Sequence, residues 1–153
     1  MVNEMKICLV ASAGGHLTQL RKLAEAWSGH QACWITTTGV AREALSKDGE
    51  VFTVGECNRE HLLRVVRVLV RSIRIILKER PSVIISTGAA VGCMVCLIGK
   101  LLGAKIVWID SITNVERLSL SGRLVRPFAD LYLVQWPELA RKYKHLEYAG
   151  TVI

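Results

Sequence analysis

The chain has 153 residues, of which 51% are hydrophobic and 22% charged, and Lys plus Arg outnumber Asp plus Glu by 20 to 13. This length fits one compact domain, residues 1–153, and the apolar content excludes a disordered basic tail, so the net charge of +7 must lie on a folded surface. Five cysteines are an odd number without paired spacing over loops, and most lie in apolar segments, which argues against a secreted disulfide framework and favours a reducing cytosol.

Short apolar runs rich in β-branched residues recur along the chain and predict strands. In order they are Ile7 to Ala11, Ala32 to Thr37, Val51 to Val54, Val83 to Ser86, Ile106 to Ile109 and Leu131 to Val134. Helical spacing separates most of them, as in Leu17 to Trp27, with Gly29 at the expected C-cap and one long loop expected between Ser111 and Pro127. Because several runs are apolar on consecutive residues, they fit a parallel sheet covered on both faces. The pattern predicts an α/β fold with a Rossmann-like, doubly wound parallel sheet.

Neither a targeting segment nor a membrane span is predicted. The first apolar run, Ile7 to Ala11, is too short for the core of a signal peptide. The longest uncharged run, Ser82 to Gly99, contains small polar residues and glycines, and it predicts a buried strand, a turn and a buried helix. We therefore expect a cytoplasmic protein that can touch a membrane without crossing it.

The segment after the first predicted strand, residues 12–16, has the sequence Ser-Ala-Gly-Gly-His. Adjacent glycines let backbone N–H groups approach an anion, so Ser12, Gly14 and Gly15 are candidate contacts for a phosphate or diphosphate. A tight strand-to-helix turn is the alternative. The dinucleotide fingerprint is excluded, because the spaced glycines are missing and the second strand ends in Thr-Thr-Thr-Gly without a carboxylate.

Two further strand ends are expected at the same edge of the sheet. Thr87 and Gly88 follow the fourth run, and Asp110 and Ser111 follow the fifth. Ligands of open parallel sheets bind beyond the carboxyl ends of the strands, so these residues are candidate substrate contacts. His16 and Asp110 are the candidate general bases, with a solvated histidine and a loop-bracing aspartate as the alternatives.

The C-x-x-C spacing of Cys93 and Cys96 lies in an apolar helix, without a second pair or a histidine at ligand spacing. Such a pair is typical of core packing rather than of metal or redox chemistry. No metal and no cofactor are predicted for this chain.

Most of the excess charge is concentrated in one predicted helix. Residues 59–80 carry seven Lys and Arg against two Glu, and 7 minus 2 gives +5 of the total of +7. Spacings of three and four residues place five of the cations in one stripe: Arg64, Arg67, Arg71, Arg74 and Lys78. Because Leu, Val and Ile flank this basic stripe, we expect it to contact an anionic membrane surface. A solvated helix face and nucleic-acid binding are the alternatives, and the lack of aromatics in this helix disfavours the latter.

The motifs together resemble one family along nearly the whole chain. The matching segments are residues 12–16, 86–90, 108–111 and 114–122, followed by Asp130 and by Gln135-Trp136-Pro137. The family is the acceptor-side, membrane-anchoring subunit of the split UDP-N-acetylglucosamine transferase of dolichol-linked oligosaccharide synthesis, the asparagine-linked-glycosylation pathway. Its bacterial PssD-type relatives in capsule and exopolysaccharide synthesis belong to the same group.

The resemblance implies the N-terminal half of a GT-B glycosyltransferase, a hexosyltransferase subunit that is active only with a partner. This subunit would help to transfer a sugar, with inversion, from a UDP-sugar to a polyprenyl-diphosphate-linked acceptor at the cytoplasmic face of the membrane. The donor site would lie on a nucleotide-sugar-binding partner subunit. Glu116 becomes a further candidate acceptor contact, and partner contact is expected at Gln135, Trp136, Tyr148, Val152 and Ile153.

Two departures from the family pattern stand out: Asp110 replaces the Glu of many relatives, and Val91 replaces their Pro. Eukaryotic relatives usually begin with a transmembrane helix, and the basic stripe is expected to replace it as a peripheral anchor. Two other functions fit the residues. One is a non-catalytic membrane scaffold that recruits the catalytic partner, and the other is a stand-alone nucleotide-binding Rossmann enzyme.

Overall fold

The computed structural model describes residues 3–58 and 60–152. Its strands are β1 Lys6–Val10, β2 Gln31–Thr36, β3 Glu50–Thr53, β4 Val83–Ser86, β5 Lys105–Ile109, β6 Leu131–Val134 and β7 Glu147–Tyr148. Its α-helices are α1 Gly15–Arg21, α2 Arg42–Leu45, α3 Leu62–Glu79, α4 Ala89–Leu101, α5 Leu120–Val125 and α6 Pro137–Lys142. Two 3-10 turns, Ala24–Trp27 and Gly39–Ala41, complete the described elements.

The strands form one parallel sheet in the order β3-β2-β1-β4-β5-β6-β7. Side chains of β1 alternate between two cores: Cys8 and Val10 pack with α3, α4, α5 and α6, whereas Ile7 and Leu9 pack with α1 and α2. Helices therefore cover both faces of the sheet, which confirms the predicted Rossmann-like architecture. Because all strands are parallel, their carboxyl ends lie at one edge, and the loops after β1, β4 and β5 meet there.

Two predicted elements differ from the structure. The helix expected from Leu17 to Trp27 ends at Arg21 and is followed by a 3-10 turn, which places Trp27 edge-on against Trp34 with ring centroids 6.1 Å apart. The loop expected from Ser111 to Pro127 contains helix α5, because the Ser119 hydroxyl caps it by accepting the Gly122 N–H at 2.9 Å. All six predicted strands are present, and β7 is an additional short strand.

No helix within 3–58 and 60–152 is both long enough and apolar enough to cross a bilayer.

Candidate functional site

Two of the predicted loops are held together by reciprocal hydrogen bonds. His16, at the start of α1, donates from Nδ1 to the Thr87 carbonyl oxygen at 2.8 Å, and the Thr87 hydroxyl donates to the His16 carbonyl oxygen at 2.6 Å. These partners lie 71 residues apart in sequence. The glycine-rich loop after β1 and the turn after β4 therefore form one surface at the carboxyl edge of the sheet.

The hydrogen bond to Thr87 fixes the tautomer of His16. A carbonyl oxygen only accepts, so Nδ1 must carry the proton, and the neutral ring then has its lone pair on Nε2. No described residue bonds to Nε2, and the side chain is half-buried at the edge of the sheet. The geometry gives His16 a free basic nitrogen that can accept a proton from a bound hydroxyl.

The glycines around His16 have two separate roles. Gly14 and Gly15 are exposed, and a Cβ on either would meet no atom within 4 Å, so their backbone is open to a ligand. Gly88 instead has a φ of +132°, and a Cβ there would lie 2.7 Å from His16 Cε1. Gly88 therefore makes room for the imidazole ring, whereas Gly14 and Gly15 leave open space above the loop, with the half-buried Ser12 beside them.

The structure places Asp110 inside the protein. Its side chain is 1% exposed, and the carboxylate accepts the Ser119 hydroxyl at 2.6 Å, the Ser119 N–H at 3.0 Å and the Trp108 indole N–H at 3.4 Å. Burial and the negative charge of Asp110 raise the pKa of the neighbouring Tyr132. These contacts favour the loop-bracing interpretation of Asp110 over that of a proton acceptor, and they leave His16 as the accessible candidate base.

The two remaining candidate acceptor contacts are not joined to His16 by any hydrogen bond between described residues. Ser111 is buried, and its hydroxyl pairs with the Thr113 hydroxyl at 3.0 Å. Glu116 is exposed beside a shallow cleft between the loop after β5 and α6, and its carbonyl accepts the Lys142 ammonium at 3.0 Å.

The described residues predicted to contact a partner range from buried to exposed. Gln135 is 2% exposed; it donates to the Gln19 side chain and to the Asp110 carbonyl, both at 3.0 Å, and accepts the Val152 N–H at 2.8 Å. This position favours an internal bracing role for Gln135 over partner contact. Trp136 and Val152 are half-buried, Tyr148 is exposed on the edge strand β7, and Ile153 lies outside the described residues.

Helix α3 has three distinct faces. Four side chains pack inward against the sheet: Val68, Ser72, Ile76 and Glu79. The five cations of the basic stripe are all exposed on a second face: Arg64, Arg67, Arg71, Arg74 and Lys78. The third face is apolar and 36% to 84% exposed: Leu62, Leu63, Val66, Leu69, Val70, Ile73 and Leu77. A helix on a sheet normally has one apolar face, which packs inward. The third face of α3 is a second apolar face, and much of it is open to solvent.

Sequence reasoning missed the exposed apolar surface next to α3. Helix α4 was expected to be buried, yet Leu97 is 47% exposed and Leu101 is 78% exposed. Leu120 and Leu124 are also exposed, on helix α5, which packs against α4. The described outer layer of these three helices is therefore largely apolar. The sequence of α4 carries little sign of this, because it is apolar on all sides and its periodicity does not separate an inner from an outer face.

The cysteine pair of α4 behaves as the sequence predicts for core packing. Cys96 is buried, Cys93 is half-buried, and both are free thiols. Burial raises the pKa of both thiols, which disfavours the reactive thiolate form.

Solved structures share the fold of this chain. The chain superposes on Acinetobacter baumannii MurG with a TM-score of 0.77, at 13% identity, over 97% of this chain and 46% of that one. It also matches UDP-GlcNAc 2-epimerase from Methanocaldococcus jannaschii with a TM-score of 0.71, at 12% identity, over 96% of this chain and 46% of that one. These likenesses establish a Rossmann-like domain of the GT-B kind, equivalent in extent to about half of each neighbour.

Residues 50–152 match the family described as "Oligosaccharide biosynthesis protein Alg14 like", and the chain belongs to this family. The Schizosaccharomyces pombe UDP-N-acetylglucosamine transferase subunit alg14 is 48% identical over 77 residues, 47% of this chain and 37% of the relative. The subunits from Candida albicans and Mus musculus are 28% and 25% identical, and the matches cover 100% and 98% of this chain and 80% and 84% of theirs. The family resemblance drawn from the sequence motifs is thereby confirmed, although the Schizosaccharomyces pombe match spans well under half of that relative.

Proposed function

We propose that this chain is the acceptor-side subunit of a two-component glycosyltransferase. The enzyme transfers a sugar from a UDP-sugar to a polyprenyl-diphosphate-linked acceptor at a membrane surface, as part of polysaccharide or lipid-linked oligosaccharide synthesis. The observation that carries the proposal is the joining of His16 to Thr87 at the carboxyl edge of the sheet, next to two open glycines, in a chain of the Alg14-like family.

In the proposed reaction His16 acts as general base. The acceptor hydroxyl gives its proton to His16 Nε2, and its oxygen forms a bond to the anomeric carbon of the sugar while the bond from that carbon to the UDP oxygen breaks. The exposed backbone of Gly14 and Gly15 suits the acceptor diphosphate, with Ser12, Thr87 and Gly88 around it. The charge of the departing UDP is stabilised by the partner subunit, which holds the donor.

Membrane contact is proposed for the apolar face and the basic stripe of α3, together with the outer faces of α4 and α5. Exposed leucine, isoleucine and valine side chains would enter the headgroup region, while the five cations would contact anionic lipids, each contributing about 1 kcal/mol near the surface. This arrangement would hold the acceptor edge of the sheet at a fixed distance from the lipid-bound substrate.

The proposed partner surface combines the β7 edge with the segment after it. β7 is the terminal strand of the described sheet, and Tyr148 on it is 45% exposed. The Thr151 hydroxyl donates to the Gln135 carbonyl at 2.9 Å, which holds the final described residues against the sheet beside a shallow cleft lined by Leu133 and Val152. A fixed, partly apolar edge of this kind suits association with a second Rossmann-like subunit.

The direct test measures transfer of radiolabelled sugar from UDP-N-acetylglucosamine to a membrane lipid extract. The assay is run with this chain alone, with a candidate nucleotide-sugar-binding subunit alone and with both. Transfer that requires both chains would support the proposal. Undiminished transfer by this chain alone would favour the stand-alone enzyme, and full activity of the partner alone would favour a scaffold.

A second assay tests the membrane contact separately. The double variant Leu97→Ser, Leu101→Ser should reduce co-sedimentation with vesicles about tenfold or more, because two exposed leucines would no longer enter the bilayer. Val40→Ser is the matched control, since Val40 is 91% exposed but follows β2 in the segment leading to α2, on the opposite side of the sheet. Equal losses for the two proteins would refute the assignment of this face.

A further inference from the structure

The basic stripe of α3 is divided into two unequal parts. Arg64, Arg67 and Arg71 line a cleft between α3 and the segment after β3, whose other walls are residues 54–56 and Val68. Arg74 and Lys78 lie outside that cleft. Lys78 instead lies beside β3, where its ammonium bonds to the exposed Glu50 at 3.2 Å and lies over the Phe52 ring, 5.1 Å from the centroid.

The cleft is partly preorganised. The Arg71 guanidinium donates from Nη1 to the Val54 carbonyl at 3.3 Å, which anchors one of the three cations at the wall. Gly55 forms the adjacent wall with a φ of +101°, a conformation that side chains disfavour, and its N–H donates to the Thr37 carbonyl at 3.1 Å. Three arginines against Glu56, the acidic residue in the lining, give the cleft a formal charge of 3 minus 1, or +2.

The same wall links the cleft to the glycine-rich loop. Thr37 accepts the Gly55 N–H through its carbonyl and the Ala13 N–H through its hydroxyl, at 3.1 and 3.0 Å. The cleft therefore lies at the carboxyl edge of the sheet, on the acceptor side. At this end of α3 the neighbouring exposed residues, Leu62, Leu63 and Val66, are apolar.

We infer that this cleft binds the phosphate of an anionic phospholipid headgroup, with a preference for a phosphomonoester over a phosphodiester. The inference rests on the proposed membrane contact of α3. Arginine forks donate paired hydrogen bonds to phosphate oxygens, and a monoester offers three such oxygens and a charge of about −1.5 to −2, which matches the +2 of the cleft. The acyl chains of the bound lipid would lie along Leu62, Leu63 and Val66. The cleft would thus draw the protein to the bilayer and also orient the acceptor edge of the sheet toward it.

Vesicle binding at matched surface charge tests this inference. Phosphatidylcholine vesicles with about 10% phosphatidic acid are compared with vesicles whose phosphatidylglycerol content, about 15–20%, is adjusted until the two electrophoretic mobilities agree, so that surface charge is equal. We expect the protein to bind about tenfold more tightly to phosphatidic acid. Arg67→Gln should abolish this preference. Arg74→Gln removes the same charge outside the cleft and should weaken binding to both vesicles alike while preserving the ratio.

Three outcomes would overturn the inference: equal binding of the wild-type protein to the two vesicles, loss of the preference in Arg74→Gln, or an unaltered preference in Arg67→Gln. Short-chain, water-soluble phosphatidic acid and inorganic phosphate are titrated separately by calorimetry. Binding of the soluble lipid without any vesicle binding would refute the membrane contact while supporting the cleft. Equal affinity for inorganic phosphate would identify a free-phosphate site and overturn the lipid assignment.

Discussion

The space that Gly88 provides for His16 gives the most specific stability prediction. In Gly88→Ala the new Cβ would lie 2.7 Å from His16 Cε1 and 2.8 Å from Nδ1, closer than carbon atoms pack, and the backbone φ of +132° would be strained. The ring must move, and the hydrogen bond from Nδ1 to the Thr87 carbonyl is then lost. The strain costs about 1–3 kcal/mol and the lost bond about 1 kcal/mol, so the free energy of unfolding should fall by about 2–4 kcal/mol.

Two other glycines of the same edge separate these contributions. Gly14 has a φ of +106° but nothing within 4 Å of a Cβ, so Gly14→Ala should cost only the strain of about 1–3 kcal/mol. Gly15 has neither strain nor a close neighbour, so Gly15→Ala should leave stability unchanged or raise it by about 0.4–1 kcal/mol. The expected order of stability is therefore Gly15→Ala, then Gly14→Ala, then Gly88→Ala.

Urea unfolding monitored by tryptophan fluorescence measures these free energies, and the His16 ring signals in an NMR spectrum report whether the imidazole has moved. Gly88→Ala should shift the His16 signals, whereas Gly15→Ala should not. If Gly88→Ala unfolded at the same urea concentration as Gly15→Ala with unchanged His16 signals, the proposed packing of the two loops would be refuted.

Three further variants test the rest of the structure by denaturant unfolding. Asp110→Asn should lower the free energy of unfolding by about 2–3 kcal/mol, because one carboxylate oxygen that accepts from Ser119 becomes an NH₂ donor inside the protein. An unchanged free energy of unfolding would contradict the bracing role. Glu79→Gln should lower the free energy of unfolding by about 1–2 kcal/mol at pH 7, because the ion pair with Lys6 is lost. Burial raises the pKa of Glu79, but its pairing with Lys6 outweighs this effect and holds the pKa below its usual range. That cost should be constant near neutral pH and shrink as the pH falls below about 4, and a cost that grew in acid would exclude the pairing. Gly99→Ala should cost about 1–3 kcal/mol, because a Cβ would overlap a fully buried isoleucine of β4, and an unchanged midpoint would show that the core can adjust there.

The sheet could be predicted from the sequence because parallel strands buried on both faces are apolar on consecutive residues. Val83–Ser86 and Leu131–Val134 have the bounds expected from their apolar runs. β7 gave no such signal, since its two residues, Glu147 and Tyr148, are exposed. The five cations of α3 were also predictable, because charge on a long helix repeats at its period.

The roles of individual site residues were less accessible from sequence. A carboxylate after a strand has the same sequence pattern whether it binds a ligand or braces a loop. Asp110 braces a loop, because it accepts hydrogen bonds from Ser119, nine residues later. The hydrogen bonds between His16 and Thr87 join residues 71 positions apart, and only the folded sheet brings them together. The cleft lined by Arg64, Arg67 and Arg71 likewise exists only because residues 54–56 pack beside α3 in the folded chain.

The variant His16→Ala in the assembled two-subunit enzyme shows whether this chain contributes a reacting group to the proposed transfer. Sugar transfer is measured with saturating UDP-sugar and acceptor, after size-exclusion chromatography has verified that the complex forms. We expect kcat to fall about 10²- to 10⁴-fold and to recover partly when free imidazole is added. Full activity of the variant complex would exclude His16 as the general base and favour the role of a scaffold for this chain.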